Sequence, residues 1–312
     1  MDENGNPASD TVAITNTYRT SDALPISITG SKLLSGRTGT FSDDFTFTLT
    51  GPVLPDTTTD TLTFTANGSQ NYSFDDLVFT YEDLKNPDGS YARTRDFTYT
   101  ITETYSIPGI TQDGPKTAVV RVSDLGDGTL EARVLTAPTT LHNTYRPTDA
   151  PALSLTGSKN LSGRTGTFSD VFTFTLSAAG GAPLPAGTAT NLTFTANGSQ
   201  DFSFGPLNYT FDHLVNPDGT YASSREFTYT INESFSIQGI TASGPTSAQV
   251  KVLLEDKGDG SLGARVTSEA VVFNNVYSAT GTYTPLVSKA LDAGERALKA
   301  DEFSFQLSGG GL

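Results

Sequence analysis

Six polar residues recur at matched places in two halves of the chain, each in phase with the apolar face of a strand. Lys32 follows Ile26 and Ile28 at even spacing, and Lys159 follows Leu153 and Leu155. Glu103 ends the row Phe97, Tyr99, Ile101, and Glu233 ends Phe227, Tyr229, Ile231. Asn143 stands between Leu141 and Tyr145, and Asn275 between Phe273 and Tyr277, whereas the neighbouring Asn274 has the opposite phase. Period-two counting therefore turns a Lys, a Glu and an Asn inward in each half. Buried apart, each would cost several kcal/mol, on the order of what an unpaired charge or amide costs in a core. Buried together they form a reactive set, because burial drives the amine and the acid toward their neutral forms. A neutral amine is a nucleophile, and a carboxamide carbon is an electrophile once its oxygen receives a hydrogen bond. A protonated Glu can donate that bond and pass protons to the leaving ammonia, and the product is an amide cross-link between Lys and Asn side chains.

The elements that must position these groups are short strands. Thr, Val, Phe and Tyr alternate in "FTFTLT", "LTFTA", "YSF", "LVFTY", "FTYTIT", "AVVRV" and "LEARV", separated by turns such as Asn-Pro-Asp-Gly and Gly-Asp-Gly. No capped amphipathic helix is expected, and the Ala-rich stretch at 290–300 reads as a loop. The halves are an internal duplication. "GSKLLSGRTGTFSDDFTFTL" (30–49) returns at 157–176 with changes only at Leu33/Asn160 and Asp44/Val171, and "LTFTANGSQ", "NPDG" and "GDG" also repeat. The period of about 130 residues is that of a whole domain, not of a solenoid repeat. About seven to nine strands in such a unit give an immunoglobulin-like sandwich. The expected architecture is all-β, with tandem immunoglobulin-like β-sandwich domains arranged head to tail at residues 21–147 and 148–279. Residues 1–20, with Asn16 between Ile14 and Tyr18, read as the final strand of a preceding truncated repeat. Residues 280–312, with Lys289 after Val287, read as the start of a truncated third. Asn16 and Lys289 are thus orphan cross-link residues.

Composition narrows the function classes. Thirty-four acidic against 19 basic side chains give a net charge of -15, a field that repels nucleic acid and anionic lipid. No apolar run is long enough to insert in a membrane. Cysteine is absent, so disulfides and thiolate metal sites cannot brace these domains.

In order and phase, the Lys of the first strand, the central "YTITE" and the terminal "F/L-x-N-x-Y" resemble the isopeptide-linked repeat domain of Gram-positive pilin shafts and surface-adhesin stalks, the immunoglobulin-like, CnaB-type streptococcal pilin linkage. The resemblance covers both full repeats and both partial ones. It implies autocatalytic bonds from Lys32 to Asn143 with Glu103 as catalyst, and from Lys159 to Asn275 with Glu233. It further implies a cell-wall or cell-surface structural protein that needs no cofactor and performs one turnover per bond, so it is not an enzyme. With no sortase sorting motif and no lysine in the context of an inter-subunit pilin linkage, a stalk segment is expected rather than a polymerised subunit.

Other readings carry less. Asp124, Asp127, Glu255, Asp256 and Asp259 flank Gly-Asp-Gly turns but lack the full spacing of a calcium loop. His142 and His213 are unmatched between the repeats. Asn67 and Asn197 stand in Asn-x-Ser sites that read as turns. The expected partners are neighbouring repeats of the same chain, and the alternative to a stalk is an adhesive module whose sandwich loops bind a host matrix protein or glycan.

Overall fold

The computed structural model describes residues 13–292, 294–297 and 299–309. Two copies of one sandwich account for all the strands among the described residues. The first contains β1 (Thr29–Ser35), β2 (Asp43–Thr50), β3 (Thr59–Phe64), β4 (Gly68–Ser73), β5 (Thr94–Thr104), β6 (Ile110–Gln112), β7 (Lys116–Asp124), β8 (Leu130–Thr136) and β9 (Leu141–Tyr145). The second contains β10 (Leu153–Ser162), β11 (Asp170–Ala178), β12 (Ala189–Phe194), β13 (Gly198–Leu207), β14 (Ser224–Ser234), β15 (Ile240–Ala242), β16 (Ser247–Asp256), β17 (Leu262–Val266) and β18 (Val271–Tyr277).

Each domain pairs a four-stranded sheet, ordered β4-β1-β9-β6 or β13-β10-β18-β15, with a five-stranded sheet, β3-β2-β5-β7-β8 or β12-β11-β14-β16-β17. Alternation writes the two faces. In β2, Phe45, Phe47 and Leu49 are buried while the intervening Thr residues are not, and β5 buries Phe97, Tyr99 and Ile101. These rows meet Leu34, Tyr72 and Leu141 of the opposite sheet in one core. At about 25 cal/mol per Å2 of apolar surface, such burial is the main force holding the sheets together.

The connectivity sets the two ends of a domain side by side. The first and last strands are parallel neighbours, with Lys32 opposite Leu141 and Leu34 opposite Asn143, and likewise Lys159 opposite Phe273 and Leu161 opposite Asn275. Parallel partners cannot be joined by a tight hairpin, so the whole domain is the crossover between them.

Three expectations are corrected. "LVFTY" (77–81) is not a strand: it makes one bridge at Leu77 and then enters a 3-10 turn, Tyr81–Leu84. There the Thr80 N–H and hydroxyl donate to Asp83 Oδ2 at 2.7 and 3.0 Å, a local capping that outcompetes sheet pairing. Residues 13–25 form no strand, and Ile14 is exposed: among the described residues no strand pairs with 13–20, and only the Ser21 and Ala23 N–H groups find backbone acceptors, at Gly128 O and Phe79 O; residues 1–12 of that segment lie outside the described residues. Likewise the described residues of 280–309 form no strand. Asn16 and Lys289 therefore sit in no triad, and Lys289 Nζ lies 5.1 Å over the Phe303 ring.

Candidate functional site

In the first domain the five-stranded sheet delivers Glu103 from β5 to the Lys and Asn of the facing sheet. Its phase is set by Phe97, Tyr99 and Ile101, and it stands opposite Phe47 of β2. Lys32 Nζ lies 3.2 Å from Glu103 Oε1, with both side chains fully shielded from solvent. The Asn143 Nδ2–H donates to Glu103 Oε2 at 2.8 Å. The second domain repeats the pair, with Lys159 Nζ 3.2 Å from Glu233 Oε1, and Asn275 is buried beside it on β18. Asn274 faces away and accepts a hydrogen bond from Asn160 Nδ2 at 2.8 Å.

The surroundings are aromatic. Lys32 Nζ sits 4.6 Å from the Phe45 ring centre, and Lys159 Nζ 4.4 Å from that of Phe172. Tyr72 stacks on Phe47 at 4.4 Å in the first domain, and Phe202 on Phe174 at 4.3 Å in the second. Rings give the ammonium some electrostatic support but cannot replace its hydration shell. Burial accordingly pushes both lysines below the usual amine range and both glutamates above the usual carboxylate range, with the opposing partner only partly restoring each. All four groups are displaced toward the neutral amine and neutral acid.

Several polar atoms in these sites lack hydrogen-bond partners: Glu103 Oε1, Asn143 Oδ1, both carboxylate oxygens of Glu233, and both amide atoms of Asn275. The lysine contact satisfies the charge but not the hydrogen-bond directions. Each orphan atom costs about 1–3 kcal/mol, so a natural core would not collect them without a return elsewhere.

Sequence reasoning passed over the groups that hold the strand ends in place. Arg37 and Arg164 form ion pairs with the buried Asp43 and Asp170, both at 2.7 Å, and lie 4.4 Å over the rings of Tyr145 and Tyr277. Asn67 and Asn197, read as turns, each exchange two hydrogen bonds of 2.8 and 3.0 Å with the backbone of Arg37 or Arg164. The signal was present in the repeated "GRTGTFSD" and "ANGS", but near-identity there extends equally over exposed residues, so recurrence alone did not single them out. The hairpin acids Asp127 and Asp259 accept the N–H and hydroxyl of Thr129 and Ser261, as ordinary turn chemistry requires. Among the described residues no His, Cys, Asp and Glu cluster could hold a metal.

No curated protein sequence matches the chain. Among solved structures, the chain is similar to the major pilin from Streptococcus pyogenes, at 14% identity over 80% of this chain and 98% of that one, with a TM-score of 0.31. It is also similar to the shaft pilin spaA from Lactobacillus rhamnosus GG, at 14% identity over 82% and 100%, with a TM-score of 0.21. A bacterial adhesin from Mobiluncus mulieris with intramolecular disulfide, isopeptide and ester cross-links is similar at 11% identity over 78% and 87%, with a TM-score of 0.19. The model of the FctA, Spy0128-like isopeptide containing domain matches twice, at residues 28–146 and 155–278, so that each sandwich carries one match and the chain belongs to that family.

Proposed function

We propose that this chain is a shaft or stalk segment of a Gram-positive cell-surface protein, whose domains, residues 21–147 and 148–279, each close one Lys–Asn isopeptide bond without turnover. The observation that carries the reading is the duplicated buried triad, in which Lys and Glu are 3.2 Å apart, fully shielded, and beside an Asn whose amide oxygen has no hydrogen-bond partner.

The chemistry balances within the site. The Lys32 ammonium gives a proton to Glu103, leaving a neutral amine and a neutral acid. The carboxamide of Asn143, which now offers its nitrogen to the carboxylate, turns over to accept the new Glu103 O–H at Oδ1. Lys32 Nζ then attacks the Asn143 side-chain carbon, and Glu103 returns the amine's proton to the departing nitrogen. One C–N bond forms, one breaks, ammonia leaves, and Glu103 ends as the neutral acid, holding the proton it took from the Lys32 ammonium. Lys159, Glu233 and Asn275 pass through the same steps. Pre-orientation on adjacent strands supplies the effective concentration that lets an unactivated amide react.

The bond would tie the first strand of a domain to its last. Tension entering on β1 and leaving on β9 would pass through a covalent link, and the domain could not unzip from either end. Intact-mass measurement tests the proposal: the chain should fall short of its sequence mass by one ammonia per closed domain, and a mass equal to the unmodified sequence defeats it.

A further inference from the structure

The two triads are built alike, but the loops beside them are not. After β6 the first domain reads "QDGPKT" (112–117) and the second "ASGPTSAQ" (242–249), so Asp113 and Lys116 have no charged counterpart. This stretch carries the chain from the four-stranded sheet to the five-stranded one at the level of the triad. Gln112 on β6 stands opposite Asn143, and Lys116 on β7 stands opposite Ile101, two residues before Glu103.

Asp113 is fixed from both sheets. Its Oδ1 accepts the N–H of His142, the residue before Asn143, at 3.1 Å, and its Oδ2 meets the Lys116 ammonium at 2.9 Å. β6 stops at Gln112, and the carboxylate takes over the pairing with β9. In the second domain the backbone does this instead, with the Ser243 N–H donating to Asn274 O at 2.8 Å. Partial burial would raise the Asp113 carboxyl, but the Lys116 ammonium and the His142 N–H outweigh it and hold the group below the usual carboxylate range. Asp113 is therefore a standing negative charge wherever the triad can react.

We propose that Asp113 is a positioning residue for the first cross-link, a charge set beside Lys32 and Glu103 that makes the first domain close at higher pH than the second. The inference rests on the shaft reading of the triads.

Closure runs while the Lys and Glu of a site share one proton, and its rate falls on an acid limb and an alkaline limb. A nearby negative charge opposes proton loss from either group, so it moves both limbs upward. Burial is the largest influence on Lys32 and on Glu103, and each opposes it in the other; Asp113 acts on both, upward each time. Lys159 and Glu233 have burial, each other and Asn275, with no third charge. Of the other groups at the first site, burial pushes Tyr72 on β4 up to about 12 and also raises Tyr105 after β5, so both stay neutral across the range. The exposed His142 ring is common to wild type and variant and cancels in their ratio.

Asp113→Asn keeps an oxygen for the His142 N–H and loses the charge. Wild type and variant, recovered unfolded, would be refolded at a series of pH values, and the linked peptides of each domain counted over time by mass spectrometry. The variant's first domain should close about twofold faster on the acid limb and about twofold slower on the alkaline limb, the size expected of one charge across a partly solvated gap, with the second domain unchanged. Ser243→Asp should do the reverse in the second domain, and it carries the test if Asp113→Asn does not fold. A purely structural latch would change the first-domain rate by one factor at every pH; that result, no change, or a second domain indifferent to Ser243→Asp overturns the proposal and leaves the shaft reading standing. Wild type that folds without linked peptides sinks both.

Discussion

Glu103→Ala should leave the first domain open and the second closed, and the size of the effect can be worked from the site. Closing the loop of about 110 residues between Lys32 and Asn143 constrains the unfolded chain by about 5 kcal/mol, using the chain-entropy relation for cross-links as an analogy. For a domain of this size that corresponds to about 15 °C in melting temperature. The substitution also strips Lys32, fully shielded and 3.2 Å from the carboxylate, of its counter-charge. Removing one member of a buried pair costs a further ~3–5 kcal/mol, relieved in part by loss of the lysine proton, which burial already favours. Asn143→Ala removes the electrophile but keeps the ion pair, so it should show the closure loss with much less of the second cost. Calorimetry should therefore rank the first-domain transition wild type, then Asn143→Ala, then Glu103→Ala, with the second-domain transition nearly fixed. Intact mass should show one ammonia lost instead of two in both variants. If Glu103→Ala loses two, the glutamate is not the proton carrier; if it melts level with wild type, the strand tie does not carry the stability assigned to it.

The rate of closure should trace a bell against pH. The reacting pair holds one proton in total, so the rate is flat while that count holds and falls on both sides. Below the acid limb both groups are protonated and no neutral amine remains; above the alkaline limb no acid remains to assist departure. Because burial raises Glu103 and lowers Lys32, both limbs should lie inside the ordinary values of 4.5 and 10.5. Ammonia release during first folding of chain recovered unfolded would measure this, and a rate rising steadily through alkaline pH would contradict it. Asn67→Ala should cost about 1–2 kcal/mol by freeing the Arg37 backbone, read as a lowered first-domain melting temperature without change in mass. Asp256→Ala removes the acceptor shared by Tyr145, Thr38 and Gly258. It should broaden the distribution of interdomain angles in small-angle scattering while both bonds still form; an unchanged distribution would mean that the backbone bridge at Thr148 suffices.

Much of the fold was legible because strand alternation is a local property. Phe97, Tyr99 and Ile101 point inward for the same reason that Glu103 does, and the pleat makes no exception for a carboxylate. The duplication acted as an internal comparison that separated Lys32, Glu103 and Asn143 from polar residues that changed between copies. What local reasoning misread was "LVFTY", where a four-residue capping arrangement diverts a β-prone segment into a 3-10 turn. It also read residues 1–20 as a final strand and 280–312 as the start of a further repeat, where the described residues form no strand.

The order of amino acids was enough to decide which side chains turn inward, since phase depends on nothing but the alternation of the backbone, and enough to decide that two like domains stand in tandem. It could not decide that β1 and β9 lie side by side and parallel, with Leu34 opposite Asn143, because that register is a long-range pairing set by closure of both sheets around one core. Packing of the two sheets brought Glu103 across to within 3.2 Å of Lys32 and removed water from the pair. It also turned Asp256, one of several hairpin acids in the sequence, into the acceptor that joins two domains. Reactivity and contact depend on distance and dielectric, and both are properties of the packed core.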